Sequence, residues 1–154
     1  MSGDDARSWQ VAQLNVARAV APLDDPRMAD FMARLGEVNA LAERSQGFVW
    51  RLKGDSGNAT DLEVGDDPRV IVNLTVWESI DDLFAFTYQT NHKTVLARRS
   101  EWFERWGGPS VVMWWQPAGA IPTIDEAFRR LRLLAEAGPT ADAFTFKHRF
   151  EPSG

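Results

Sequence analysis

No cysteine occurs in the 154 residues, so neither a disulfide framework nor a thiolate metal site is available. Histidine is nearly as scarce. Its two copies, His92 and His148, exclude the His-rich metal constellations and leave only carboxylate ones. Tyrosine occurs once, as Tyr88. No apolar run approaches the ~20 residues that a membrane-crossing helix needs. There is no Gly-rich phosphate loop, no nucleophile elbow and no His-Glu-x-x-His helix. The opening Met1-Ser2-Gly3-Asp4-Asp5-Ala6-Arg7 is acidic and lacks the apolar stretch of a secretion signal. A cytoplasmic protein with no membrane partner is therefore expected. Basic residues are the minority, 17 against 22 acidic for a net charge of −5, which argues against nucleic acid as a partner.

What remains is globular composition, 44% hydrophobic and 25% charged, in a length that suits one domain with its own core. Trp9 to Ala17 reads as a strand, with Trp9, Val11, Gln13 and Asn15 on one face and Ala12, Leu14 and Val16 on the other. Asp24 or Asp25 followed by Pro26 marks a helix start. Met28, Phe31, Met32, Leu35, Val38, Leu41 and Ala42 then recur at helical spacing, and Gly47 stops the helix. Phe48 to Leu52 is a short strand. Residues 53–69, rich in glycine and acidic side chains, read as a long hairpin connection, either disordered, the simpler reading, or a lid.

Val70 to Trp77 is the clearest strand. Val70, Val72, Leu74 and Val76 line one face, and Ile71, Asn73, Thr75 and Trp77 the other, so both faces should be covered. Ser79 caps a helix carrying Leu83, Phe84 and Phe86. A further helix is expected from Asn91 to about Trp106, ended by Gly107-Gly108-Pro109. Val111 to Gln116 is a fourth strand. Thr123-Ile124-Asp125-Glu126 is a capping box for a helix with Phe128, Leu131 and Leu134 inward and Gly138-Pro139 as its stop. Phe144, Phe146, His148 and Phe150 alternate with Thr145, Lys147 and Arg149, as in a half-buried strand.

The order β-α-β-β-α-β, then α-β, predicts an α+β fold over residues 9–150, with 1–8 and 151–154 as flexible termini. It would be a ferredoxin-like antiparallel sheet with helices on one face, extended by a C-terminal helix and strand. No segment obviously covers the opposite face. A second copy pressed against it would do so, which predicts a homodimer.

Asn73-Leu74-Thr75-Val76-Trp77-Glu78-Ser79, with Leu83, Phe84 and Phe86, resembles the third strand and second helix of the antibiotic-biosynthesis-monooxygenase-like dimeric α+β barrels. The chain is similar to an uncharacterised bacterial branch of that superfamily through His92, Arg98-Arg99-Ser100-Glu101-Trp102-Phe103, Trp114-Trp115, Gly119-Ala120-Ile121-Pro122 and Gly138-Pro139-Thr140. The resemblance implies a dimeric α+β barrel with a pocket between sheet and helices in each subunit. It also implies that the first and third strands are neighbours.

Three groups of residues could carry chemistry. His92 opens a stripe with Leu96, Arg99 and Phe103, where an imidazole could act as a general base or a ligand; it could equally cap backbone groups or bond a carboxylate. Asn15 and Asn73 stand mid-strand among apolar neighbours, able to share a face with Gln13, Thr75 and Trp77. Buried amides need partners, which could be a substrate oxygen, each other or a water. The aromatic residues suit a flat ligand but also suit core and interface. Tyr88 could donate a proton or sit in an interface. Of the arginines, only Arg99 shares the His92 stripe; surface ion pairs account for most of the others.

The resemblance implies a small-molecule enzyme of secondary metabolism, a cofactor-independent monooxygenase-like activity on an aromatic or polycyclic substrate. His92 would be the base, with Asn73 and Asn15 orienting the substrate or stabilising an oxyanion and Tyr88 as an auxiliary donor. Trp77, Arg99, Trp102, Phe103 and Phe86 would hold the substrate. No metal or cofactor is required by this scheme. A non-catalytic metabolite-binding or structural homodimer is the alternative. A haem-degrading relative ranks lower: Asn15 fits that pattern, but Phe86 stands where a Trp is needed, and His92 lies about a turn before the required His, near Leu96.

Overall fold

The computed structural model of the chain describes residues 9–22, 24–52, 69–90 and 99–152. The central strand β1, Trp9–Ala19, lies antiparallel to β3, Val70–Trp77, from Val11↔Trp77 to Arg18↔Val70. Its other edge is shared by two strands. β5, Val111–Pro117, pairs with Trp9 to Asn15, and the two-residue β4, Phe103–Glu104, pairs with Arg18 and Ala19. β2, Phe48–Arg51, closes the far edge of β3 with an irregularity between Phe48 and Trp50. The result is a five-stranded antiparallel sheet in which β1 has neighbours on both sides, consistent with a ferredoxin-like α+β fold.

The helix starts follow the local chemistry. The Asp25 side chain accepts from the Arg27 backbone N–H and opens a 3₁₀ turn, Pro26–Met28, which runs into α1, Ala29–Arg44. The Ser79 hydroxyl accepts from the Asp82 N–H at the start of α2, Ile80–Thr90. α3, Arg99–Trp102, is a single turn. Thr123 caps α4, Ile124–Ala137, by accepting from the Glu126 N–H, and Gly138 ends it at φ 75°. Among the described residues, no helix is long and apolar enough to cross a membrane.

Each face of the sheet has its own cover. Val11, Trp77 and Met113 pack with Ala42 of α1 and Leu83 of α2, while Ala19 and Ile71 pack with Met28 and Trp102. On the opposite face Ala12, Leu14, Val16, Val72, Leu74, Val76, Val112 and Trp114 pack against Ala127, Leu131 and Leu134 of α4. This corrects the arrangement of helices on one face only. α4 supplies a second layer on the face for which a second copy was expected as cover. The capping box and inward leucines were legible; the side of the sheet to which α4 returns was not.

Two other expectations are revised. The helix expected to reach Trp106 ends at Trp102, and Phe103–Glu104 joins the sheet instead. Residues 91–98 of that expected helix, like 53–68 of the long connection, lie outside the described residues. The alternating stretch from Phe144 to Phe150 is not a strand. Phe144 exchanges two backbone hydrogen bonds of 2.9 Å with Met113, and the chain then bends at Thr145 to His148. Phe144, Phe146 and Phe150 all join the cluster around Trp77 and Met113, so the alternation reports ring burial without a ladder.

If α4 is the cover of this face, Leu131→Ala should lower the unfolding free energy by about 2–5 kcal/mol in urea titration. A change below roughly 0.5 kcal/mol, typical of a surface site, would mean that the helix is merely appended.

Candidate functional site

On the face beneath α1 and α2, the middle of β1 and β3 is polar. The antiparallel register sets Gln13 against Thr75 and Asn15 against Asn73. The Trp77 indole N–H donates to Thr75 Oγ1 at 2.9 Å. Gln13 Nε2 donates to the same oxygen at 2.8 Å, to Asn73 Oδ1 at 2.6 Å and to the Asn73 backbone oxygen at 3.2 Å. These bonds satisfy polar groups that would otherwise cost ~1–3 kcal/mol each when buried.

The row has a direction. Trp77 is fully buried, Thr75 is 3% exposed and Gln13 6%, Asn73 is half-buried, and Asn15 is exposed. Apolar clusters bound it at both ends, Val11, Trp77, Leu83 and Met113 at one and Ala19, Ile71, Met28 and Trp102 at the other. A line of amides and a hydroxyl therefore runs from the core to solvent between two apolar banks. None of its side chains titrates, so the row has no charge of its own.

The expected neighbourhood of Asn15 and Asn73 is confirmed, but Asn15 is not a buried amide. Gln13 and Thr75 were expected only to share their face; they prove to be the members that connect Asn73 to Trp77. The signal for them was antiparallel arithmetic: two residues before Asn15 on one strand meets two residues after Asn73 on the other.

The remaining candidates are distributed elsewhere. Trp77 lies against Phe86 at 5.1 Å and edge-on to Phe48 at 5.5 Å, so its ring is core instead of an open stacking surface. Trp102, 2% exposed, is likewise enclosed, with Phe31 at 5.7 Å and Phe103 at 6.4 Å. Phe103 is half-buried in β4, edge-on to Phe31 at 4.9 Å. Tyr88 is 76% exposed on α2 beside Phe84, and no hydrogen bond links it to the row. Arg99 opens α3, where only its backbone is described, and His92 lies outside the described residues. His148 is exposed.

A groove of about 730 Å³ runs between the end of α1 and α2, lined by Leu41, Arg44, Asp82, Phe84, Phe86 and Tyr88 among others. Phe86 borders this groove and also touches Trp77 at the inner end of the row. Among the described residues, no three metal-ligating side chains cluster.

Residues 10–154 match the sequence profile of a domain of unknown function, DUF3291. No curated protein matches the chain. Among solved structures, protein SO0527 from Shewanella oneidensis is 11% identical, with 71% of this chain and 93% of that one covered at a TM-score of 0.48. The NE2512 protein of unknown function from Nitrosomonas europaea is 15% identical, with coverages of 76% and 96% and a TM-score of 0.47. SnoaB, a cofactor-independent oxygenase from Streptomyces nogalater, is 18% identical, with coverages of 75% and 96% and a TM-score of 0.40. Similarities this distant assign neither substrate nor reaction to the chain.

Thr75 holds the row together, since two donors converge on its oxygen. Thr75→Val should leave the Trp77 indole N–H unpaired, take one of three acceptors from Gln13, and cost about 1–3 kcal/mol in urea unfolding. Thr75→Ser keeps the oxygen and should recover most of that loss. Equal stability of the valine and serine variants would show that the bonds contribute nothing.

Proposed function

The chain belongs to the family defined by the domain of unknown function DUF3291, and on that footing we propose that it is a small-molecule enzyme whose substrate meets the sheet at Asn73 and Asn15. The observation that carries this reading is the exposure of the row. A polar line wholly inside a core serves packing alone. This one continues to solvent through the half-buried Asn73 and the exposed Asn15, neither of which spends its side-chain N–H₂ on a described residue.

The chemistry such a site suits is the holding of an oxygen on a flat apolar body. The amides would bind the oxygen and steady negative charge on it. The resemblance to the antibiotic-biosynthesis-monooxygenase-like barrels supports oxygenation without a cofactor as the reaction, on an aromatic or polycyclic substrate. His92 is the base assigned to that reaction on sequence grounds. A second reading, a metabolite-binding protein without turnover, is favoured by the absence of any titrating side chain in the row.

Hydroxylated naphthalenes and anthracenes, titrated against the protein with tryptophan fluorescence as the readout, test the site. Binding should quench emission, and Asn73→Ala should weaken it about tenfold, the value of one good hydrogen bond. Its urea unfolding curve should move little, because Gln13 keeps Thr75 and the Asn73 carbonyl as acceptors. Ligand-dependent oxygen consumption, abolished in His92→Ala, would identify the enzyme. Tight binding with no oxygen uptake would establish the second reading. Affinity indifferent to Asn73→Ala would remove the site from the row.

A further inference from the structure

The hydrogen bonds of the row admit one direction, and its two ends fix it. An indole N–H is a donor only, so Thr75 Oγ1 accepts from Trp77. A backbone carbonyl is an acceptor only. The Gln13 side-chain atom 3.2 Å from the Asn73 carbonyl is therefore the amide nitrogen, not the oxygen. That nitrogen also lies 2.8 Å from Thr75 Oγ1 and 2.6 Å from the Asn73 side chain. The Asn73 atom facing it must be Oδ1, because nitrogen there would set donor against donor. Asn73 consequently turns Nδ2 and its two protons away from Gln13, and no described residue accepts from them.

We propose that Gln13 locks Asn73 as a fixed hydrogen-bond donor, so that the site takes a ligand oxygen that accepts (a ketone, a quinone, a phenol or its anion) and gains nothing from a ligand group that serves there only as a donor. This rests on the reading of the row as a ligand site. A free asparagine would rotate to present oxygen or nitrogen as the ligand required. The buried Gln13 removes that freedom. It is a positioning residue: it acts on the ligand only through the orientation of Asn73. Thr75 reinforces the lock, since both its lone pairs are engaged by donors and it offers Gln13 no competing proton.

Three flat bicyclic probes of similar size separate the possibilities by calorimetric titration of the full chain. 1,4-Naphthoquinone only accepts, 1-aminonaphthalene offers N–H, and naphthalene does neither; the absence of cysteine removes thiol addition to the quinone. The quinone should bind about tenfold tighter than naphthalene, and the amine no tighter. Asn73→Asp keeps an oxygen towards Gln13 and replaces only the outward nitrogen. It should erase the quinone's advantage and improve the amine. Gln13→Glu turns an oxygen towards Asn73, whose amide then rotates, and the preference should pass from quinone to amine with Asn73 itself unaltered. Should that variant fail to fold, Asn73→Asp decides alone. Equal affinities for quinone and amine in the parent chain, or an unchanged order in the variants, overturn the lock while leaving a ligand site in place. If none of the probes binds the parent chain, the lock and the site fall together.

Discussion

Everything in this fold is arranged around a strand with no free side. β1 has β3 along one edge, β5 and β4 along the other, and a helical layer on each face. A polar side chain buried on such a strand must find its partner on a neighbouring segment. Gln13 does so through Thr75 and Asn73. The antiparallel register decides which polar residues can meet, and the helices above them decide how far along the row water reaches.

Most of the fold was legible where local chemistry decides the outcome. Asp25-Pro26, Ser79, Thr123 and Gly138 mark their helix ends as capping rules require. The alternation of Val70 to Trp77 gave both the strand and its two-sided burial. Legibility failed where distant parts of the chain compete. Phe103 and Glu104 leave a helical pattern because Arg18 and Ala19 offer a vacant strand edge beyond the end of β5. Phe144, Phe146 and Phe150 alternate like a strand, yet they are placed by the pocket of rings they enter.

The candidate site was half legible for the same reason. Asn15 and Asn73 stand out as amides in apolar strands, and adjacency of the strands brings them together. Trp77 stood out as an aromatic residue but is a core member whose polar edge starts the hydrogen-bonded row. Tyr88, conspicuous as the sole phenol, is carried on the exposed surface of α2. Rarity of a residue type proved a poorer guide than its position opposite another polar side chain.

The enclosure of β1 also shapes how the chain comes into being. Trp9 to Asn15 wait for partners at Val111 to Pro117, about a hundred residues later, and for the α4 cover beyond them. At roughly 5–20 residues per second, ribosomal synthesis leaves this strand without its second edge for several seconds. The central strand of the mature domain is thus the one longest exposed during its birth. Its neighbour Val70 to Trp77 emerges sooner and shields one edge, which makes that first pairing the natural guard against premature association between nascent chains.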